Sequence, residues 1–219
     1  MRISLIYGED TAKAYGRYRE LIDASRSKGF EIIQITDPKN VTSQSLFDDK
    51  VVFTLDKPKK VKPNDWKWLS KNAEKYNSNL LIYYEGNAPV TITKNLPKEA
   101  KKEKFELPRI IFTFLDSFYP GNSKQSLKLL NDLVQNEPIE LVFHLLSRHL
   151  RDLYWVSEAK ESMEIPDWRK SKLAGQAKKF SISDLQFMIK ELAEMDVRTK
   201  TSDENLRDSL DILILKRLK

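Results

Sequence analysis

The stretch Ile139 to Val156, IELVFHLLSRHLRDLYWV, decides the architecture of the second half of this chain. Ile139, Val142, Phe143, Leu146, Leu150 and Leu153 recur at steps of three and four residues, a spacing that puts them on one face of a helix. Leu141, Leu145 and Tyr154 widen that stripe until little of the cylinder is polar. Pro138 stands where a first helical residue belongs, since its missing N–H would have no partner there. A helix this apolar must be covered on several sides, and amphipathic segments from Ile110 to Leu218 flank it.

Upstream, Ile110, Ile111, Phe114, Leu115 and Phe118 predict a helix stopped by Tyr119-Pro120-Gly121. Leu127, Leu130 and Val134 predict another, capped by Asn122 or Ser123. Downstream, Pro166 to Lys178 reads as a weaker helix holding Gly175. Ser181 with Asp184 resembles a capping box, opening a helix through Leu185, Met188, Ile189, Leu192 and Met195. The last predicted helix runs from Asp203 to Leu218, acidic at its start and basic at its end, as the helix dipole favours. Helices shorter than about 15 residues are marginal alone in water, so these form one bundle.

The first half has a different period. Apolar runs at Ile3–Tyr7, Phe30–Ile35, Val51–Leu55 and Asn79–Tyr84 read as strands, separated by helices at Thr11–Ser27 and Trp66–Tyr76. Strands alternating with helices, each strand apolar on both faces, predict a parallel sheet covered by helices. The charged stretch Pro97–Lys104, PKEAKKEK, lacks apolar spacing and marks the boundary. The expected organisation is therefore an α/β domain at 1–97, a charged linker at 98–104 and an all-helical domain at 105–219.

Hydrophobic content of 40% with 32% charge among 219 residues is that of a globular protein, and no apolar run approaches the roughly 20 residues of a spanning helix. The amino terminus turns acidic before a signal-peptide core forms, so a cytoplasmic location with no membrane attachment is expected. The absence of cysteine excludes disulfides, thiolate-bound zinc and a thiol nucleophile. Charge is unevenly held: residues 1–104 carry 20 basic against 14 acidic side chains, whereas residues 105–219 carry 18 of each. The basic half favours an acidic partner at short range, because salt screens exposed charge beyond about 8 Å.

The strand–turn–helix at ISLIYGED lies where a nucleotide-binding α/β domain keeps its phosphate loop. Such a loop needs several glycines, a Lys and a Ser or Thr. Here one glycine is followed by Glu9 and Asp10, which suit the helix dipole themselves and repel a triphosphate. His144 and His149, five residues apart on a helix, face different ways and cannot share a metal. No nucleophile or acid–base constellation stands out, so no catalysis, metal or cofactor is expected. The basic run Lys57–Lys62 could touch phosphates, with Trp66 and Trp68 stacking on bases. The favoured expectation is instead a solvated loop leading to a helix whose tryptophans are core. In Gln44-Ser45-Leu46-Phe47-Asp48-Asp49, two large apolar residues stand among polar and acidic ones just before a strand. They either cap the sheet edge or form an exposed plug for a partner's pocket.

Taken together, YGED, SLFDDKVVF, PRIIFTFLDSF, the helix ending in SRHLRDLYWV, LAGQAKKFSISDL and LAEMDVRTKTS resemble, in matching order, the delta subunit of the bacterial DNA polymerase III clamp loader. The resemblance implies an AAA+-like α/β domain without a phosphate loop and an all-α collar domain. It implies a non-enzymatic subunit, worked by ATPase motor subunits beside a delta-prime-type subunit, that binds and helps open the sliding clamp on primer-template DNA. By the same resemblance Leu46 and Phe47 enter the clamp's hydrophobic pocket, with Gln44 adding a polar contact at the rim. The chain departs from the family in passing through PKEAKKEK directly into FELPRIIFTFLDSF, which leaves no room for a normal lid domain. A stand-alone nucleic-acid-binding adaptor using the basic first half is the competing expectation.

Overall fold

The computed structural model describes residues 1–42, 50–58, 61–202 and 204–219 and divides into two compact units, Met1–Leu107 and Pro108–Lys219. In the first unit the elements run β1 (Arg2–Gly8), α1 (Thr11–Ser27), β2 (Glu31–Gln34), a 3-10 turn (Pro38–Thr42), β3 (Val51–Asp56), α2 (Pro63–Asn72), β4 (Asn79–Glu85), α3 (Val90–Asn95) and β5 (Lys101–Lys104). Among the described residues the five strands pair in parallel, in the order β2-β3-β4-β1-β5. The pleat sorts the apolar runs onto two faces. Leu5, Val51, Phe53, Leu55, Leu80 and Ile82 join Trp66 and Leu69 of α2 on one side. Ile6, Val52, Leu81 and Tyr83 join Tyr18 and Ile22 of α1 on the other. Burial on both faces is why these strands read as continuous apolar runs.

Two elements differ from expectation. The stretch 98–104, expected as a charged linker, contains β5, with Ser4 opposite Lys101 and Tyr7 opposite Lys104. An edge strand needs only backbone partners on one side, so it carries little apolar signal, and its lysines discourage further pairing. Glu103 on this strand, 3.0 Å from Arg17 Nε and 2.8 Å from Lys101 Nζ, ties the edge to α1. The predicted helix at Trp66–Tyr76 starts earlier, at Pro63, and ends at Asn72 in a 3-10 turn over Ala73–Lys75.

The second unit is helical throughout: α4 (Arg109–Ser117), α5 (Ser123–Val134), α6 (Ile139–Ala159), α7 (Asp167–Ala177), α8 (Ile182–Thr201) and α9 (Leu206–Arg217). α6 is the centre. Val142, Phe143, Leu146, Leu150, Leu153 and Val156 are buried, and α4, α5, α7, α8 and α9 all pack on it. The Ser181 hydroxyl accepts from Asp184 N at 3.1 Å, as the capping pattern predicts. Asp203, expected to open the last helix, lies outside the described residues; the N-cap of α9 is Asn205, whose side chain accepts from Arg207 N and Asp208 N.

One buried polar network joins three helices. Gln176 of α7 donates from Nε2 to the carbonyls of Leu115 (2.8 Å) and Phe118 (3.1 Å), closing the end of α4. Its Oε1 lies 3.1 Å from His149 Nε2 on α6. Burial pushes the His149 pKa below its ordinary 6.5, against the pull of Gln176, Asp116 and Asp152, while Arg169 pushes the same way as burial. The imidazole is therefore neutral in the fold at pH 7. As pH falls through about 6.5 the unfolded chain takes up a proton first, so stability is lost toward the lowered folded value. The slope from this group cannot exceed about 1.4 kcal/mol per pH unit, the value for one proton bound by the unfolded chain alone. Urea unfolding at pH 7.5, 6.5 and 5.5 checks this against His149→Gln; equal slopes in the two proteins would show that His149 takes its proton freely in the fold.

Candidate functional site

Open α/β sheets bind ligands beyond the carboxyl ends of their strands, where the strand order reverses. β1, flanked by β4 and β5, ends at that place. The turn there is closed by the chain itself. Phe105 N donates to Tyr7 O (2.8 Å) and Asp10 N donates to Phe105 O (3.1 Å). Gly8, at φ +139°, comes so near this segment that a Cβ would stand 2.0 Å from the Phe105 carbonyl oxygen. Asp10 is 1% exposed. Its carboxylate caps α1 by accepting from Lys13 N at 3.0 Å and pairs with Lys13 Nζ at 3.3 Å. Glu9 accepts from Asn87 Nδ2 at 2.9 Å. The helix terminus that would cradle a phosphate thus holds the protein's own carboxylate. A fluorescent ATP analogue should show no binding; micromolar affinity lost in Lys13→Ala would show that the turn opens.

The sequence-derived contact residues Gln44, Leu46 and Phe47 lie outside the described residues, as do their neighbours 43, 45, 48 and 49. What flanks them is well defined. On one side, Val41 is fully buried in the cluster that contains Trp66 and Leu69. Lys39 Nζ stands 2.6 Å from Asp65 Oδ1 of α2. On the other side, Lys50 O accepts from Glu31 N and Val51 begins the buried β3. Asp65 also accepts from Lys62 N at 3.3 Å. Hydrogen bonding to Lys39 holds the Asp65 carboxyl below its ordinary range and, reciprocally, raises Lys39. Pro63 at the first helical position and Asp65 at the third do announce a helix start in the sequence. Lys39 carries no comparable signal, because its partner is reached only through the fold.

The base-stacking reading fails for Trp66, which is core, while Trp68 is only partly buried. Trp66 is 1% exposed, and Trp68 packs against the same core with its ring centroid 6.4 Å from that of Tyr76. Lys59 and Lys60 of the basic run lie outside the described residues. His144 is exposed and His149 sits between helices, so the two do not share a site.

In the helical unit, Phe112, Trp155, Trp168, Phe187, Ile212 and Leu215 remain exposed. Exposed apolar residues scattered singly are ordinary on a folded protein. A cleft of about 850 Å³ between α6 and α8 is floored by Ile139, Phe143, Ile189 and Leu192. Among the described residues no helix is long and apolar enough to cross a membrane.

Residues 109–217, the whole of this helical unit but its ends, match the family model of the DNA polymerase III delta subunit, C-terminal domain. The chain is a delta-subunit-like protein. No curated protein matches it by sequence. Among solved structures, the Bacillus subtilis DNA clamp loader delta protein (YqeN) aligns over 99% of this chain and 94% of that one, with 14% identity and a TM-score of 0.44. The family assignment rests on the match over residues 109–217. In this delta-like chain β5 ends at Lys104 and α4 begins at Arg109, so no lid domain stands between the two units. By family, the delta subunit is a non-catalytic component of the clamp loader.

Proposed function

We propose that this delta-like protein binds the sliding clamp of a bacterial DNA polymerase and helps open it, as a clamp-loader subunit that takes its energy from ATPase partners. The observation that carries the reading is the family match over residues 109–217. Two features support it. The α1 terminus is filled by Asp10, which suits a subunit that relies on others for nucleotide chemistry. The helical unit leaves Phe112, Trp155, Trp168 and Phe187 exposed, aromatic side chains of the kind that assembly with motor and delta-prime-type subunits around primer-template DNA would use. Leu46 and Phe47 are the proposed plug for the clamp's pocket, with Gln44 at its rim.

The test is binding of the purified chain to the cognate clamp and to primer-template DNA at low and high salt. Apolar docking to the clamp persists as salt rises, whereas a protein held by phosphate contacts loses affinity steeply. Salt-tolerant clamp binding is the expected result. No clamp binding together with steeply salt-dependent DNA binding would overturn the reading in favour of a nucleic-acid-binding adaptor. A second measurement addresses assembly: residues 108–219 expressed alone should be helical by circular dichroism and should retain a motor subunit. A folded fragment that retains none, while residues 1–107 do, would move the assembly surface to the α/β unit.

A further inference from the structure

The cleft between α6 and α8 holds side chains whose bonding the fold leaves unfinished. Two of its carboxylates are already paired, Asp196 with Lys200 at 2.8 Å and Glu204 with Arg198 at 2.7 Å. Arg151 on the α6 wall, and Arg148 beside it, are exposed and have no ion-pair partner among the described residues. Ser147, on the same wall, has a buried hydroxyl with no hydrogen-bond partner among the described residues. Helical hydroxyls often bond to the carbonyl four residues back. Ser25, Ser157, Thr199 and Ser209 do so at 2.8, 2.9, 3.0 and 2.9 Å. Ser147 does not. The cleft also has a direction: Glu140 stands at one end of its α6 wall and Arg151 at the other, about 16 Å or three turns apart at about 1.5 Å per residue.

We propose that this cleft seats an amphipathic helix of another protein subunit, about three turns long, with its apolar stripe on the cleft floor and a carboxylate on Arg151. The inference rests on the clamp-loader reading above, which brings other subunits to this unit, and adds the seat and the chemistry of the contact. An apolar floor walled by polar groups is what a helix-in-groove contact needs. Ala193, small and exposed, leaves the α8 wall open to a close-lying helix. A guanidinium with no partner of its own takes a carboxylate in a two-point hydrogen bond, and a turn about χ1 brings the Ser147 hydroxyl to the same acceptor. A nucleic-acid strand fits less well. Its phosphates would run from Arg151 onto Glu140, over a floor with nothing to hold them.

The experiment measures affinity of the full-length chain for the purified cognate motor and delta-prime-type subunits by surface plasmon resonance, with clamp binding and thermal melts on the same preparations. Ala193→Trp fills the cleft from an exposed position and should weaken binding to one of these subunits by at least about thirtyfold, the worth of one buried apolar anchor. Arg151→Glu should cost about tenfold at low salt and less near 1 M, where the screening length is about 3 Å. Ser147→Ala should cost about two- to fivefold without lowering the melting temperature, since the fold does not use that hydroxyl. Leu215→Ala, at an exposed position of α9 outside the cleft, is the control and should bind as wild type does. Wild-type protein that binds neither clamp nor subunit overturns the clamp-loader reading and this inference with it. Wild-type protein that binds a subunit, with Ala193→Trp unchanged, overturns the inference alone, as does wild-type protein that binds the clamp but no other subunit. Losses that track melting temperature, or an equal loss in Leu215→Ala, also overturn it. Binding lost in Ala193→Trp but kept in Arg151→Glu removes the carboxylate from the assignment. Arg151→Glu protein that loses affinity for primer-template DNA, with subunit binding intact, gives the cleft to nucleic acid instead.

Discussion

The double change Leu46→Ala with Phe47→Ala is expected to lower affinity for the sliding clamp by two to four powers of ten and to leave the melting temperature nearly unchanged. Burying a large apolar side chain contributes about 1.5–3 kcal/mol, so the pair contributes on the order of 3–6 kcal/mol. At about 1.4 kcal/mol per decade this is the stated loss. Removing the rim charge Asp48 should cost far less, since exposed ion pairs are worth about 1 kcal/mol or nothing. Gln44→Ala should fall between, as the loss of one polar contact. Calorimetric titration against the clamp and a thermal melt, run on the same preparations, separate the outcomes. A double variant that melts many degrees lower shows that the two side chains are core. One that stays folded and still holds the clamp tightly places the contact elsewhere.

The second large effect concerns Gly8. Its φ of +139° is one that side chains rarely adopt, and a Cβ would meet the Phe105 backbone at 2.0 Å from oxygen and 2.6 Å from carbon and nitrogen. Backbone is what must move, and it is held by two hydrogen bonds, Phe105 N to Tyr7 O and Asp10 N to Phe105 O. Gly8→Ala should therefore destabilise the α/β unit by about 3 kcal/mol or more, combining a strained dihedral with a steric clash. For a unit of this size that corresponds to a fall in melting temperature of more than about 10 °C. Gly175→Ala is the control: it lies in α7 with open space around its Cβ position, and alanine favours a helix by about 1 kcal/mol over glycine. A Gly8→Ala protein that melts within about two degrees of wild type would show that the segment after β5 is free to shift.

The Gly8–Phe105 contact also explains how the carboxyl end of β1 became a closed turn. The sequence announces the helix start through Asp10 and shows that a phosphate loop is missing. It does not show that residues 101–105, a run of charge, return to pair with β1 and occupy the space above the glycine. The same physical reason runs through the other surprises. Backbone hydrogen bonds have no side-chain signature, so an edge strand of lysines reads as a linker.

By itself the sequence determined the elements that depend on local period. The step of three and four residues from Ile139 to Leu153 specifies a helix with a wide apolar face, and in the structure that helix is covered from several sides. The doubly apolar runs at β1, β3 and β4 specify strands buried on both faces, and helices between them require a parallel sheet. Capping at Ser181 was legible because its partner lies three residues away. Only the tertiary structure decided the pairings between distant residues: β5 against β1, Gly8 against Phe105, His149 of α6 with Gln176 of α7, and Lys39 with Asp65. Each joins groups far apart in the chain, whose individual character gives no hint of the partner. Periodicity records which face a residue turns to the core; it does not record what waits there, and that is set by how the elements pack.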